Sequence, residues 1–307
     1  MKKKQFKMTR RQVLKAGLIG GAGLMMPLRF FPRKAFGEEL MAGLSDPALQ
    51  PKFENVVPDA LKPGFKYNPV GRGRGGVQNY RVGYNPDHMT GLMSGSSQVP
   101  TPIFGYGQNG TYTWPGMTFE VQAGRPTQVQ WANNLPVGPE HLLPVDTSLH
   151  WCFSLHGYDH RTIEDDGVPI VVHLHGGHTV DLFDGNPEQF FTPNWRVTGP
   201  RFRSRTFNYQ NDRPAGNLWY HDHALGITRL NVYAGLAGFY FVRDADDTGL
   251  PDNLLGLPAW PYEKAYAIQD RMFRKSGELF YPAYPGDPAY ADFITDEGVT
   301  LGPPQFP

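Results

Sequence analysis

Two pairs of histidines have a spacing that could bind a metal ion. His173 and His175 form one His-X-His pair, and His221 and His223 form a second. On a β-strand, residues i and i+2 point to the same face about 7 Å apart, so each pair presents two imidazoles in one direction. If the two strands are neighbours, four imidazoles converge. Clustered neutral imidazoles are a ligand set typical of copper, zinc or iron.

Spacing alone does not decide which metal is bound. His173, His175 and His178 also follow the His-X-His-X-X-His spacing of metallo-β-lactamase-like zinc hydrolases. That family has an Asp before the last histidine, where this chain has Gly177, and its fold alternates strands with helices. We therefore interpret His178 as a loop residue or one that lies behind the ligands, and the zinc hydrolase stays a minor alternative.

The elements that must carry these histidines are predicted to be strands. Short segments of alternating or β-branched residues are separated by Gly, Pro and Asn, the pattern of a β-sandwich. They are Thr118–Gln122, Gln128–Trp131, Ile170–His175, Asn217–His223 and Gly238–Val242. A helical spacing is convincing only over Ala224–Ala234, for about three turns.

The first 37 residues have the pattern of an export signal. They hold ten Lys or Arg and no acidic residue, with Arg10 and Arg11 before an apolar, Gly-rich stretch from Ala16 to Leu28. As a helix this stretch would reach about 20 Å, short of the about 30 Å hydrocarbon core of a membrane. Ala35 and Gly37 supply the small residues of a cleavage site. The pattern predicts a twin-arginine signal peptide, with an uncleaved N-terminal anchor as the alternative.

The remaining chain is acidic. Residues 38–307 hold 19 basic and 29 acidic residues, a net charge of −10. Such a body is unsuited to nucleic acid, whose binding depends on neutralising phosphates with Lys and Arg. The single cysteine, Cys152, excludes a disulfide framework within the chain and any Cys-rich metal site.

The amino-acid sequence around both histidine pairs closely resembles the first two copper motifs of multicopper oxidases. These motifs are His173–Thr179 (HLHGGHT) and Leu218–Leu236 (LWYHDHALGITRLNVYAGL). The nearest likeness is to the branch of bacterial spore-coat laccase, bilirubin oxidase and phenoxazinone synthase. Four further segments are similar to that branch: Trp114–Val121, Leu142–Asp146, Asp270–Phe273 and Gly277–Pro282. In the first of them, Met117 stands where the family usually has Pro.

The resemblance implies a cupredoxin-like Greek-key β-sandwich followed by the start of a second cupredoxin domain. The expected organisation is a signal peptide over 1–37, an irregular segment over 38–97, and cupredoxin domain 1 over 98–245. A linker over 246–262 and an incomplete second domain over 263–307 would follow. Exported by the twin-arginine route, the protein would work in the periplasm or outside the cell, without stable membrane insertion after signal cleavage.

The resemblance also implies roles for individual residues. Domain 1 of this family supplies half of the ligands of a trinuclear copper cluster. By position, His173 would bind the type 2 copper, His175 and His221 one type 3 copper, and His223 the other. Asp184 matches an acid thought to help deliver protons during O₂ reduction, and a simple turn residue is an equal alternative. Asp222 is expected to make a structural hydrogen bond, and Trp219 either to shield the cluster or to pack in the core.

A complete member of this family carries a second set of motifs, including His-Cys-His, which this sequence lacks. Cys152 lies between His150 and His156 without that motif, and we interpret it as an ordinary buried thiol. We therefore expect the N-terminal part of an oxidase that is inactive alone. The complete enzyme would couple oxidation of a small reducing substrate (a phenol, a bilirubin-like molecule or a metal ion) to reduction of O₂. The alternative is a non-catalytic, exported copper-binding β-sandwich.

Overall fold

The computed structural model describes residues 44–68, 78–138 and 140–281, and the signal segment lies outside them. Eleven strands are present in this part of the chain. They are β1 (Gln78–Ser94), β2 (Ser97–Gln108), β3 (Thr111–Thr113), β4 (Gly116–Gln122), β5 (Thr127–Asn133), β6 (Val172–His175), β7 (Thr206–Tyr209), β8 (Gly216–Asp222), β9 (Ala237–Arg243), β10 (Met272–Phe273) and β11 (Leu279–Phe280). The α-helices are short: α1 (Ile163–Asp166) and α2 (Thr228–Ala234).

The strands form two main sheets. One has the order β3-β2-β1-β5-β7, and the other has the order β4-β9-β8-β6. The pairs β1·β5 and β4·β9 are parallel, and the remaining pairs are antiparallel. Between β4 and β8 the chain changes sheet with each successive strand. The strand content and the two-sheet arrangement confirm the predicted all-β, cupredoxin-like sandwich.

Aromatic side chains fill the space between the sheets. Tyr220 on β8 lies 4.9 Å from the ring of Tyr106 on β2 and 5.7 Å from Trp131 on β5. Tyr209 and Tyr240 make a further edge contact across the sandwich at 5.9 Å. Aromatic pairs of this geometry stabilise a core beyond the burial of their area. The strand that carries His221 is thus anchored in the core through its inward-facing neighbour, Tyr220.

The expectation of an irregular segment over 38–97 needs a correction, because Gln78–Ser94 forms strand β1. This strand pairs with both β2 and β5 and lies at the centre of its sheet. Gly83, which is unfavourable in a strand, faces the ring of Tyr112, where a Cβ would come within 2.2 Å of the ring carbons. Register shifts between Asn85 and His88 and between Met89 and Met93 accommodate the residues that disfavour a strand.

The helix predicted over Ala224–Ala234 is shorter than expected. Helix α2 begins at Thr228 because Gly226 has a positive φ of 73° and lies against the backbone of His150. The β10–β11 hairpin follows β9 in the chain, and Leu279 and Tyr281 join the main hydrophobic core. Among the described residues, no helix is long and apolar enough to cross a membrane.

Candidate metal centre

The two His-X-His pairs lie on neighbouring antiparallel strands. In the register of β6 and β8, His173 is opposite His221 and His175 is opposite Trp219. His223 follows the end of β8, and its backbone N–H donates to the carbonyl of Val171 at 2.8 Å. Strand alternation turns all four imidazoles to one face of the sheet, as the sequence predicts.

The ring of His173 contacts the rings of the other three histidines. The ring of His173 lies 5.7 Å from that of His175, 5.5 Å from that of His221 and 5.0 Å from that of His223. Nitrogen atoms of His173, His175 and His221 all lie within 4.8 Å of one another. Three potential donors are therefore close enough to approach a single ion, and His223 lies beside them.

Backbone carbonyls fix the orientation of three of these rings. The Nδ1 atom lies 2.5 Å from the Asp184 carbonyl in His173, 2.7 Å from the Asp222 carbonyl in His221, and 3.1 Å from the Gly185 carbonyl in His223. Because a carbonyl only accepts, each Nδ1 carries the hydrogen. The lone pair is left on Nε2, which is the arrangement of a metal-binding histidine.

Two of these three carbonyls come from the loop after β6. Gly185 has a φ of 76°, and a Cβ at this position would lie 2.3 Å from the Val172 carbonyl oxygen and 2.9 Å from the His173 Cα. Only glycine allows the loop to approach β6 this closely. These backbone acceptors were not predicted from the sequence, where the only related feature is the Asp184-Gly185 dipeptide, which indicates a turn.

Burial keeps two of the imidazoles neutral, those of His221 and His223. It lowers the pKa of His221 to about 4, and the neighbouring histidines add to this effect, although the hydrogen bond to Asp222 opposes it. Burial also lowers the pKa of His223. At neutral pH these rings are unprotonated and keep a lone pair for a metal.

Trp219 covers one side of the cluster. Its ring stacks on His221 at 4.2 Å and on His175 at 5.0 Å, with small angles between the planes. The side chain is 40% exposed, so it is not a core residue. Of the two expectations for Trp219, the structure favours a shield over the histidine rings.

Asp184 lies beside the cluster at the end of a short 3₁₀ turn, Asp181–Phe183. One carboxylate oxygen lies 3.5 Å from Nδ1 of His173, and it also accepts a hydrogen bond from the Thr179 hydroxyl. The side chain is 44% exposed. It therefore has access to both solvent and a histidine of the cluster.

Asp222 points away from the imidazoles into the protein, where it is fully buried. Its carboxylate accepts hydrogen bonds from the backbone N–H groups of Val171 and Ala224, at 3.0 and 3.1 Å. A third bond comes from the side chain of Asn231 at 2.8 Å. The expected structural hydrogen bond is present, within a larger set than the sequence indicated.

Two other candidate ligands lie elsewhere. His178 is exposed and faces Asp212 at 3.3 Å, and it is not in the group of converging donors. Cys152 is fully buried, and its Sγ lies 3.4 Å from the carbonyl of Leu225. Burial raises the pKa of this thiol well above its usual range. It has the environment of an inert buried thiol.

The donor set fits a metal ion that is bound by imidazole nitrogen. Three rings offer Nε2, and Nδ1 of His175 lies 3.4 Å from Nε2 of His221. Two nitrogens bound to one tetrahedral ion at about 2.0–2.1 Å would be about 3.4 Å apart. Imidazole nitrogen suits copper, zinc, iron and nickel, so donor chemistry alone leaves the metal open. A cleft of about 590 Å³ opens beside His221 and His223 and is also lined by Arg229 and Arg271.

Comparison with known proteins gives consistent matches. Residues 169–247, which include all four histidines, match the family model described as multicopper oxidase. A laccase of Bacillus subtilis is 42% identical over 190 residues, covering 62% of this chain and 34% of the relative. A laccase of Bacillus stratosphericus is 38% identical over 217 residues, covering 68% of this chain and 39% of the relative. The chain thus spans little more than a third of the length of these curated relatives.

Solved structures of the same description are also similar to this chain. The McoA multicopper oxidase of Aquifex aeolicus is 20% identical, with a TM-score of 0.45, and the match covers 67% of this chain and 35% of that one. A multi-copper oxidase of Pediococcus acidilactici is 19% identical, with a TM-score of 0.40, covering 66% of this chain and 32% of that one.

Proposed function

We propose that this chain, which belongs to the multicopper oxidase family, supplies half of the ligands of a trinuclear copper cluster. The observation that carries the proposal is the convergence of four imidazoles on one face of neighbouring strands. His173 would bind the type 2 copper, His175 and His221 one type 3 copper, and His223 the other. The face on which they converge borders a cleft, where the opposing ligands would have room.

The activity proposed for the complete protein is that of a laccase-like oxidase. Bound copper would supply the redox chemistry, passing four electrons to O₂ after single-electron oxidations of a small reducing substrate. That substrate would be a phenol, a bilirubin-like molecule or a metal ion. The backbone carbonyls of Asp184, Asp222 and Gly185 would hold the rings of His173, His221 and His223 in one tautomer. Trp219 would cover one side of the histidine cluster.

Asp184 is proposed as the proton donor of the site. Its carboxylate combines solvent exposure with a position 3.5 Å from His173, so it can take up a proton from water and hold it at the cluster. The Thr179 hydroxyl fixes its orientation by a hydrogen bond. Asp184→Asn should leave Cu(II) affinity nearly unchanged, since the backbone carbonyl that holds His173 remains. A large loss of affinity would instead make the carboxylate part of the metal site.

The place of action is proposed to be the periplasm or the exterior of the cell. The twin-arginine pattern of the first 37 residues supports export, and the acidic body argues against nucleic acid as a partner. The twin-arginine route carries folded proteins, which suits a protein that acquires its metal on folding.

Copper binding tests the proposal directly. The metal-free protein should bind Cu(II) through imidazole nitrogen, as paramagnetic resonance would show, and His173→Ala/His175→Ala should abolish most of the binding. A matched control is His156→Ala/His160→Ala, which removes two exposed histidines outside the cluster. Binding should weaken below about pH 6, because protons compete with the metal for imidazole nitrogen. Equal Cu(II) uptake by the cluster variant and the control would overturn the proposal, and selective zinc binding would favour the hydrolase alternative.

A further inference from the structure

The carboxylate of Asp222 joins three separate segments behind the metal face. It accepts from Val171 just before β6, from Ala224 just after β8, and from Asn231 on helix α2. The backbone carbonyl of the same residue accepts from Nδ1 of His221. Asp222 therefore connects a buried polar network on one face of β8 to an imidazole on the other.

Asn231 is the next member of this network, and it is fully buried. Its Nδ2 donates to Asp222 at 2.8 Å and to the Pro169 carbonyl at 3.0 Å. Its Oδ1 lies 3.0 Å from Nε2 of His141. Both hydrogens of the amide and its oxygen are engaged by these groups, and the two acceptors fix which end of the amide faces Asp222.

His141 completes the network from a position 90 residues away in sequence. The backbone N–H of Leu143 donates to its Nδ1 at 3.0 Å, which leaves the hydrogen on Nε2, where it is donated to Asn231. The ring is 7% exposed and packs edge-on against Phe104 at 5.0 Å. Each hydrogen bond in the series from Leu143 to Asp222 thus has a defined direction.

We propose that Asn231 and His141 are positioning residues of the metal centre, which act through Asp222 to hold His221 and His223 in place. The effect that we expect on copper binding rests on the proposed function. Asp222 lies between the two histidines, and its carbonyl sets the ring of His221. A shift of Asp222 would therefore move both rings. Partners that lie behind metal ligands and orient them typically change metal affinity 10- to 100-fold when lost.

The test compares two buried asparagines with the same kind of bonding. Asn133 likewise donates two hydrogen bonds and accepts one, but its partners are backbone groups of Val168, Phe191 and Leu135. Asn231→Leu and Asn133→Leu should both destabilise the fold by removing a buried amide. Only Asn231→Leu should raise the dissociation constant for Cu(II), by about 10- to 100-fold, and change the paramagnetic spectrum.

A second pair of variants serves if the Asn231 variant does not fold. His141→Gln keeps an N–H donor near the position of Nε2, whereas His141→Phe removes it. The Phe variant should weaken Cu(II) binding, and the Gln variant should restore most of it. A structural loss alone would not produce this rescue together with an altered copper spectrum.

The metal-free protein separates failure of this inference from failure of the proposed function. Nitrogen-15 spectra of the histidine rings report whether Nδ1 of His221 and His223 keeps its hydrogen. If wild type binds no copper at the cluster, the proposed function fails, and a ring tautomer that changes in Asn231→Leu but not in Asn133→Leu still supports the network. Unchanged ring spectra together with Cu(II) affinities within about threefold of the control would overturn the inference.

Discussion

At the scale of single residues, the metal centre depends on which nitrogen carries the hydrogen. Three imidazoles donate a hydrogen bond from Nδ1 to the backbone carbonyls of Asp184, Asp222 and Gly185. Backbone atoms therefore decide which ring nitrogen keeps a lone pair for the metal. The four histidines could be predicted from their i, i+2 spacing. The carbonyls could not, because any residue has one and only the folded loop decides which of them comes near.

His141 should make the stability of the protein depend on pH. Burial lowers its pKa to about 4, and nearby Arg229 adds to this effect, although the bonds to Asn231 and Leu143 oppose it. The unfolded chain takes up a proton below about pH 6.5, but the folded protein takes it up only near pH 4. The contribution of His141 to stability is therefore lost as the pH falls through this window, by about 2 kcal/mol between pH 7 and pH 5.

The measurement is urea unfolding at pH 7 and pH 5 for wild type and His141→Gln. The variant cannot gain this proton, so its free energy of unfolding should fall by about 2 kcal/mol less than that of wild type between the two pH values. Parallel losses in both proteins would show that His141 does not titrate as its burial requires.

At the scale of elements, the centre is formed by two strands and the loop that returns to them. Gly185→Ala tests this arrangement, because the added Cβ would lie 2.3 Å from the Val172 carbonyl. We expect the free energy of unfolding to fall by more than about 2 kcal/mol, since backbone strain and steric overlap act together. Cu(II) binding should weaken as well, because the loop carries the acceptors for His173 and His223.

Gly124 offers a matched control for that change. Its φ of 72° is close to that of Gly185, but a Cβ there would have nothing within 4 Å. Gly124→Ala should cost only the conformational penalty, about 1 kcal/mol, and leave Cu(II) affinity unchanged. If the two variants lose equal stability and equal affinity, close approach of the loop is not what the glycine provides.

The strands differ in how well the sequence predicts them. β6 follows directly on a β-branched run that starts at Ile170, β9 is rich in aromatic residues, and β4 and β5 alternate apolar and polar residues, so local pattern is enough to find them. β1 contains Gly83, Pro86 and Asp87, which disfavour a strand, and its pairing with β2 and β5 overrides them. The network of Asp222, Asn231 and His141 is also invisible to periodicity, because its members are 9 and 90 residues apart and meet only in the fold.

At the scale of the whole molecule, the basic first 37 residues contrast with an acidic body. If the signal directs twin-arginine export, replacing Arg10 and Arg11 with Lys should retain the protein in the cytoplasm of a bacterial host. The charge of the segment is unchanged, so the comparison isolates the arginine pair. The check is the amount of protein in periplasmic and cytoplasmic fractions, and full periplasmic recovery of the double variant would contradict the twin-arginine route.

The colour of the copper-loaded chain follows from where its one thiol lies. A blue copper centre needs a thiolate with histidine partners. Cys152 is fully buried, its Sγ lies against the Leu225 carbonyl, and burial raises its pKa, so it stays protonated and away from the converging imidazoles. Copper bound by this chain should therefore show the weak absorption of imidazole coordination, without an intense thiolate band and without catalysed oxygen uptake.

The Cys152→Ser variant tests whether the thiol takes any part in copper binding. The serine variant should give the same copper spectrum and stoichiometry as wild type, after loosely bound metal has been removed with a chelator. His150 and His156 flank the thiol in sequence, but the Nδ1 of His150 lies 3.3 Å from the Ser154 hydroxyl. An intense blue band in wild type that disappears in Cys152→Ser would mean that this region rearranges to bind copper. The thiol would then have to leave the core and lose its proton, and both costs would lower the affinity for that copper.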